Sequence, residues 1–212
     1  HFNPQAQDFV KDENGQIYMY GNDPYYYEVE AKKVLQDPNY KVGSYHVHFM
    51  VAFHKLSHLE LTKSMIYYSY LIILLLVTVT FFFLWRISSF FASIIGTLFF
   101  ITLLASSGRF SAGLPETDGY NILFPLVIGW LLYESIRIKE EKEKNRHWQT
   151  HIFTILAGIL IGIYSKIWHG WWFFFHIFWI TLAILIPIKV WKGNKLSRTT
   201  ITPFLIFFIL SI

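Results

Sequence analysis

The 212 residues are 54% hydrophobic and 20% aromatic, only 15% are charged, the net charge is +4, and there is no cysteine. Disulfides and thiolate metal sites are thereby excluded, and the basic residues, gathered in loops between apolar runs, give no nucleic-acid signal. Beyond about residue 64 the charges retreat into short clusters, which is the pattern of a polytopic membrane protein and not of a soluble domain.

Residues 1–64 form a polar, aromatic segment with eight acids, six lysines and five histidines. Asn14-Gly15, Asp23-Pro24 and Asp37-Pro38 mark turns. A short helix is predicted over Tyr25–Leu35, with Asp23 as N-cap and Pro24 in the first helical position. Between His46 and Leu61, the residues Val47, Met50, Val51, Phe53 and Leu56 predict an interfacial helix leading into the membrane. Residues 65–212 then read as a transmembrane helical domain, with spans at Met65–Trp85, Ile87–Ser106, Tyr120–Ile136, Thr150–Ile167 and Trp171–Trp191 and a truncated one at Ile201–Ile212. A crossing takes roughly 20 residues, so the first, second and fifth spans suffice, whereas the third and fourth need to extend into their flanking loops. The expected fold is an all-α polytopic helical bundle with a long external first loop and about six spans. The start at His1 without an initiator methionine, and the stop at Ile212 inside an apolar run, suggest a piece of a longer protein, lacking a first anchor and a C-terminal remainder.

Orientation follows from the short loops. Arg86, the cluster Arg137, Lys139, Lys142, Lys144 and Arg146, and the cluster Lys189, Lys192, Lys195 and Arg198 lie in three alternate loops, ten of the eighteen basic residues. The positive-inside rule assigns those loops to the cytoplasm. The N-terminal segment, the loop around Glu116 and Asp118, and the turn Trp168-His169-Gly170 then share the external or lumenal face.

Glu116 and Asp118 are two acids one residue apart, at a membrane rim where one apolar segment ends and the next begins. Acids there are costly unless something binds them, and an acid–x–acid pair suits Mg²⁺ or Mn²⁺ shared with phosphate oxygens. Asp23, in Gly21-Asn22-Asp23-Pro24-Tyr25-Tyr26-Tyr27, falls on the same side and is a third candidate ligand. Spacing alone does not separate this reading from that of ordinary loop acids; the surrounding sequence does.

Three stretches carry a resemblance: Gly21–Tyr27; Arg109-Phe110-Ser111-Ala112-Gly113 with Glu116-Thr117-Asp118 and Asn121-Ile122-Leu123-Phe124-Pro125-Leu126; and Ala157–Tyr164 followed by Trp168-His169-Gly170. In that order they resemble the catalytic subunit of oligosaccharyltransferase in its archaeal and bacterial single-subunit form, a C-type glycosyltransferase, over most of residues 20–190. The resemblance implies metal-dependent transfer of an oligosaccharide from a dolichyl or polyprenyl phosphate or diphosphate to asparagine in Asn-x-Ser/Thr. It implies that Asp23, Glu116 and Asp118 are the catalytic metal ligands, with Mn²⁺ or Mg²⁺ as cofactor. The partners it implies are the lipid-linked oligosaccharide, an acceptor protein sequon and membrane lipid. Glutamate stands at position 116 where the family more often has aspartate. Arg109, Lys166 and His169 are candidates for the lipid phosphate, against snorkelling to the interface for Arg109. The family's later external loop and its C-terminal tryptophan-tryptophan-aspartate domain have no counterpart here, so this stretch alone is not expected to glycosylate.

Two rival readings stand beside this one. A protein mannosyltransferase, also of the C type, would keep the acids but change the acceptor. A copper subunit with a histidine brace would use His1, His46 and His48, or zinc would use His54 and His58 at helical spacing. The plainer account makes these histidines polar residues of an amphipathic helix. Trp168, Trp171 and Trp172 read as an interfacial belt, and Glu134 as a carboxylate reaching water at the cytoplasmic end of its span.

Overall fold

The computed structural model describes residues 23–37, 39–106, 117–140, 147–191, 207 and 209. Seven helices appear among the described residues: α1 (Asp23–Gln36), α2 (Tyr45–Ser57), α3 (Leu61–Ile87), α4 (Phe90–Ser106), α5 (Asp118–Glu140), α6 (His147–Ile167) and α7 (Trp171–Trp191). The all-α expectation holds, and α7 has the predicted bounds. The predicted third and fourth spans do extend into their flanks, as α5 and α6, and α3 outruns the predicted first span at both ends. The predicted sixth span lies outside the described residues except for Phe207 and Ile209.

By length and apolarity α3 and the stretch Asp118–Arg137 of α5 qualify to cross a membrane, and α4, α6 and α7 contribute shorter apolar segments. The second predicted span is the exception to its expected length. Ser88 and Ser89 turn the chain, so α4 begins only at Phe90 and is 17 residues long. A soluble protein's core helix would be mostly buried, yet only 11% of the apolar window of α3 is covered. Along α4, Phe91 is 76% exposed, and Ile95, Leu98 and Phe99 are exposed as well. Such a surface is costly in water and neutral in hydrocarbon, so this is an all-α chain of membrane type.

The chain divides into two compact units, residues 1–119 and 120–212. In the first, α3 is the spine. Its buried stripe Met65, Tyr68, Ile72 and Leu76 recurs at three- and four-residue steps, one face of a helix. Against it pack α1, α2 and α4. Ser44 caps α2, its hydroxyl accepting the His46 N–H at 3.2 Å, and His58 in the left-handed conformation (φ 54°) ends it. In the second unit Ile128 and Leu132 of α5, Ala157 and Ile161 of α6, and Phe207 form the core, with Phe175 and Phe178 of α7 against it. Ser135 and Thr154 share a buried hydrogen bond of 2.9 Å between α5 and α6, the kind of polar link that holds helices together where apolar contact alone gives little preference over lipid.

Glu134 differs from its expectation. It is buried, with Trp130 Nε1 donating to Oε1 at 3.3 Å and Arg137 Nε donating to Oε2 at 3.1 Å. Residues three and four apart on a helix face one another, so a carboxylate between Trp130 and Arg137 finds partners on its own helix before it reaches solvent.

Candidate metal and lipid-phosphate site

Two helix starts carry the described acidic positions. The helix α1 begins at Asp23, and Pro24 behind it is fully buried, consistent with proline at the opening of a helix where its missing N–H costs nothing. The helix α5 begins at Asp118, which is half-buried and lies where the helix macrodipole favours an anion. The side chain of Asp23 and the whole of Glu116 and Arg109 lie outside the described residues.

Both starts seat on the spine of the first unit. Tyr27, one turn into α1, meets the buried His46 of α2 edge to face at 4.7 Å, and His46 lies 6.1 Å from Tyr68 of α3. Glu28 accepts from the Thr62 hydroxyl of α3 at 3.2 Å and pairs with Lys32 at 2.9 Å. One turn beyond Tyr68 on the same face is Ile72, and against it lies Gly119: a β-carbon on that glycine would stand 2.6 Å from Ile72 Cγ2. Glycine directly after Asp118 is what lets the start of α5 approach α3 so closely. Neither contact was read from the sequence. The small residue beside the acid was the one local signal.

The other motif residues lie in the second unit. Asn121 accepts a hydrogen bond from the Tyr164 hydroxyl at 3.1 Å, and Phe124 stacks on the Tyr164 ring at 5.3 Å and 11°. Trp168 also stacks on the Tyr164 ring, at 5.9 Å and 27°. The Asn121–Leu126 part of the second stretch and the third stretch picked out in the sequence therefore dock on each other, α5 to α6. Pro125 explains part of the pattern: it has no N–H for the carbonyl four residues back, at Asn121, and so loosens the helix where the tyrosine is held. Lys166 and His169 are both exposed at the turn from α6 to α7, and Gly170 is required there because the Trp168 ring occupies the space a side chain would fill. Trp172 is exposed and Trp171 is half-buried against the core of its unit, so only part of the expected tryptophan belt faces outward.

The histidine alternatives do not assemble. In α2, His46 is 1% exposed while His48 is exposed on the opposite face, since residues two apart on a helix do not face each other. His1 lies outside the described residues. His54 and His58 keep helical spacing, the His58 N–H donating to the His54 carbonyl at 3.1 Å as α2 ends, but no third potential ligand joins them among the described residues. No cluster of three or more His, Asp or Glu side chains occurs among the described residues.

A curated protein resembles this chain. It is the dolichyl-phosphooligosaccharide-protein glycotransferase of Methanococcus voltae, 25% identical over 235 residues that take in 93% of this chain and 24% of the relative. The chain thus spans about a quarter of the length of the curated relative it matches. No family model and no solved structure matches.

Proposed function

We propose that this chain supplies the metal-binding, membrane-embedded part of a glycosyltransferase that moves an oligosaccharide from a lipid-linked phosphate or diphosphate donor to asparagine in Asn-x-Ser/Thr. The similarity to the Methanococcus voltae protein along nearly the whole chain carries the reading. Support comes from two helix starts that meet the first unit's α3: α1, which opens at Asp23, is tied to it through Glu28 and Thr62 and through His46 of α2, and Gly119 beside Asp118 lies against Ile72. Three carboxylates, Asp23, Glu116 and Asp118, are hard oxygen donors of the kind that suit Mg²⁺ or Mn²⁺. Bound there, the ion would supply neutralisation of the phosphate leaving group. The chain's own share is to fix Asp118 against α3 and to hold α1 through Glu28 and Thr62; Arg109, Lys166 and His169 are the sequence's candidates for the lipid phosphate. The site faces the external or lumenal side in this reading, with the protein integral to the cell membrane.

The test uses the full-length protein with purified donor lipid and an Asn-x-Thr peptide. Asp118→Asn and Asp23→Asn should each abolish transfer, as should chelation, with Mn²⁺ or Mg²⁺ restoring the unmutated protein. Transfer that survives both substitutions and chelation would end the proposal. Sugar found on serine or threonine would favour the mannosyltransferase alternative.

A further inference from the structure

The helix α2 is apolar on two faces, and only one of them is used within the unit. At about 100° per residue, His46, Val47, Met50 and Val51 make the inner face. These include three of the residues from which the sequence predicts an interfacial stripe, and the structure turns them inward. The exposed residues Tyr45, His48, Phe49, Ala52, Lys55 and Leu56 fall in a second arc of about 120° opposite. Within that arc Tyr45, Phe49, Ala52 and Leu56 form an apolar centre, and His48 and Lys55 lie together along one edge. Leu56 is 79% exposed, which water opposes.

We propose that this outer face rests on the surface of the bilayer, with Tyr45, Phe49 and Leu56 at the acyl boundary and His48 and Lys55 among the phosphates of anionic headgroups. Three observations select lipid over another protein segment. The helix has no Asp or Glu anywhere along it, so its charge is complementary to a phosphate layer. An apolar face edged by a lysine and a histidine fits the pattern of helices that lie in the interface plane. Only three residues, His58 to Glu60, separate α2 from α3, and the first ten residues of α3 carry exposed Tyr67 and Tyr70, residues typical of the level where a span meets headgroups. This inference does not depend on the transfer reaction.

The 212 residues hold no cysteine, so single cysteines at Ala52, Leu56 and, as a reference, the exposed loop residue Lys41 can carry a nitroxide in full-length protein with any cysteine outside them replaced by serine. The protein is reconstituted in vesicles of equal parts phosphatidylcholine and phosphatidylglycerol, and collision rates with oxygen and with a water-soluble nickel chelate are measured. Labels at Ala52 and Leu56 should favour oxygen severalfold over the Lys41 label, and His48→Glu with Lys55→Glu should reduce that preference. Labels as open to nickel as the Lys41 label would overturn the proposal, as would labels closed to both reagents, which would mean a protein segment covers the face.

Discussion

Replacing Gly119 by alanine tests whether the start of α5 is seated on α3. The new methyl would stand 2.6 Å from Ile72 Cγ2, where an ordinary carbon contact is about 3.5–4.0 Å, so the helices must give by about 1 Å. Ile72 is buried and β-branched, with essentially one side-chain rotamer open to it on a helix, so it does not swing aside. Overpacking of this kind costs about 1–3 kcal/mol, against which alanine regains up to about 1 kcal/mol of helix propensity. A net loss of about 1–2 kcal/mol is expected, measured by denaturation of the full-length protein in micelles. Ile72→Ala alone should cost about 2–5 kcal/mol, yet it opens the space the methyl needs. The double variant should therefore be more stable than the sum of the two losses by about 1 kcal/mol or more. Additivity within about 0.5 kcal/mol would show that the two residues do not touch and would refute the seating of Asp118 on this spine.

Tyr164→Phe, which leaves Phe124 its stacking partner, should cost about 1 kcal/mol through the lost bond to Asn121, and the loss should vanish in an Asn121→Ala background. At the buried Glu134, removing its cation by Arg137→Met should destabilise more than Glu134→Gln, because the first strands a buried carboxylate; the reverse order in thermal melts would refute the pairing. The Lys33 ammonium, in the last turn of α1, is held above its ordinary 10.5 by its bond to Glu30 and then by Tyr40. A raised value means that its contribution is complete at lower pH and is lost only as pH rises through that raised value. Titration of the Lys33 ε-carbon by NMR should therefore show a midpoint above 10.5 that falls in Glu30→Gln.

How far the fold is legible depends on the period of the pattern. The apolar runs behind α3, α5, α6 and α7 are long enough to be read from hydropathy alone, and Pro24 and Gly170 mark a helix start and a turn as expected. The faces of α2 are not legible, because a helix apolar on both sides offers two stripes and the sequence does not say which one meets protein. Glu134 escapes for a related reason: its partners, Trp130 and Arg137, sit at helical spacing within the same span and outcompete the solvent that composition assigns to it. At the candidate site the sequence supplies the acids and, by counting loops, the expectation that they share one side of the membrane. The contacts that bring α1 and Gly119 to α3 come from a buried histidine and a single glycine whose partners lie some twenty and some fifty residues away in the chain.

The unequal lengths of α3 and α4 set a height. A helix of 27 residues is about 40 Å long and one of 17 about 26 Å, and two serines tie them end to end. The first ten or so residues of α3 therefore rise about 15 Å past the described end of α4, and Thr62, Met65 and Tyr68, on which α1 and α2 are built, belong to that upper portion. In this arrangement α3 is a ruler: deleting four residues between Ile73 and Val79 would lower the layer that α1 and α2 build on it by about 6 Å relative to the hairpin tip, and a thicker bilayer would bring that layer nearer the headgroups.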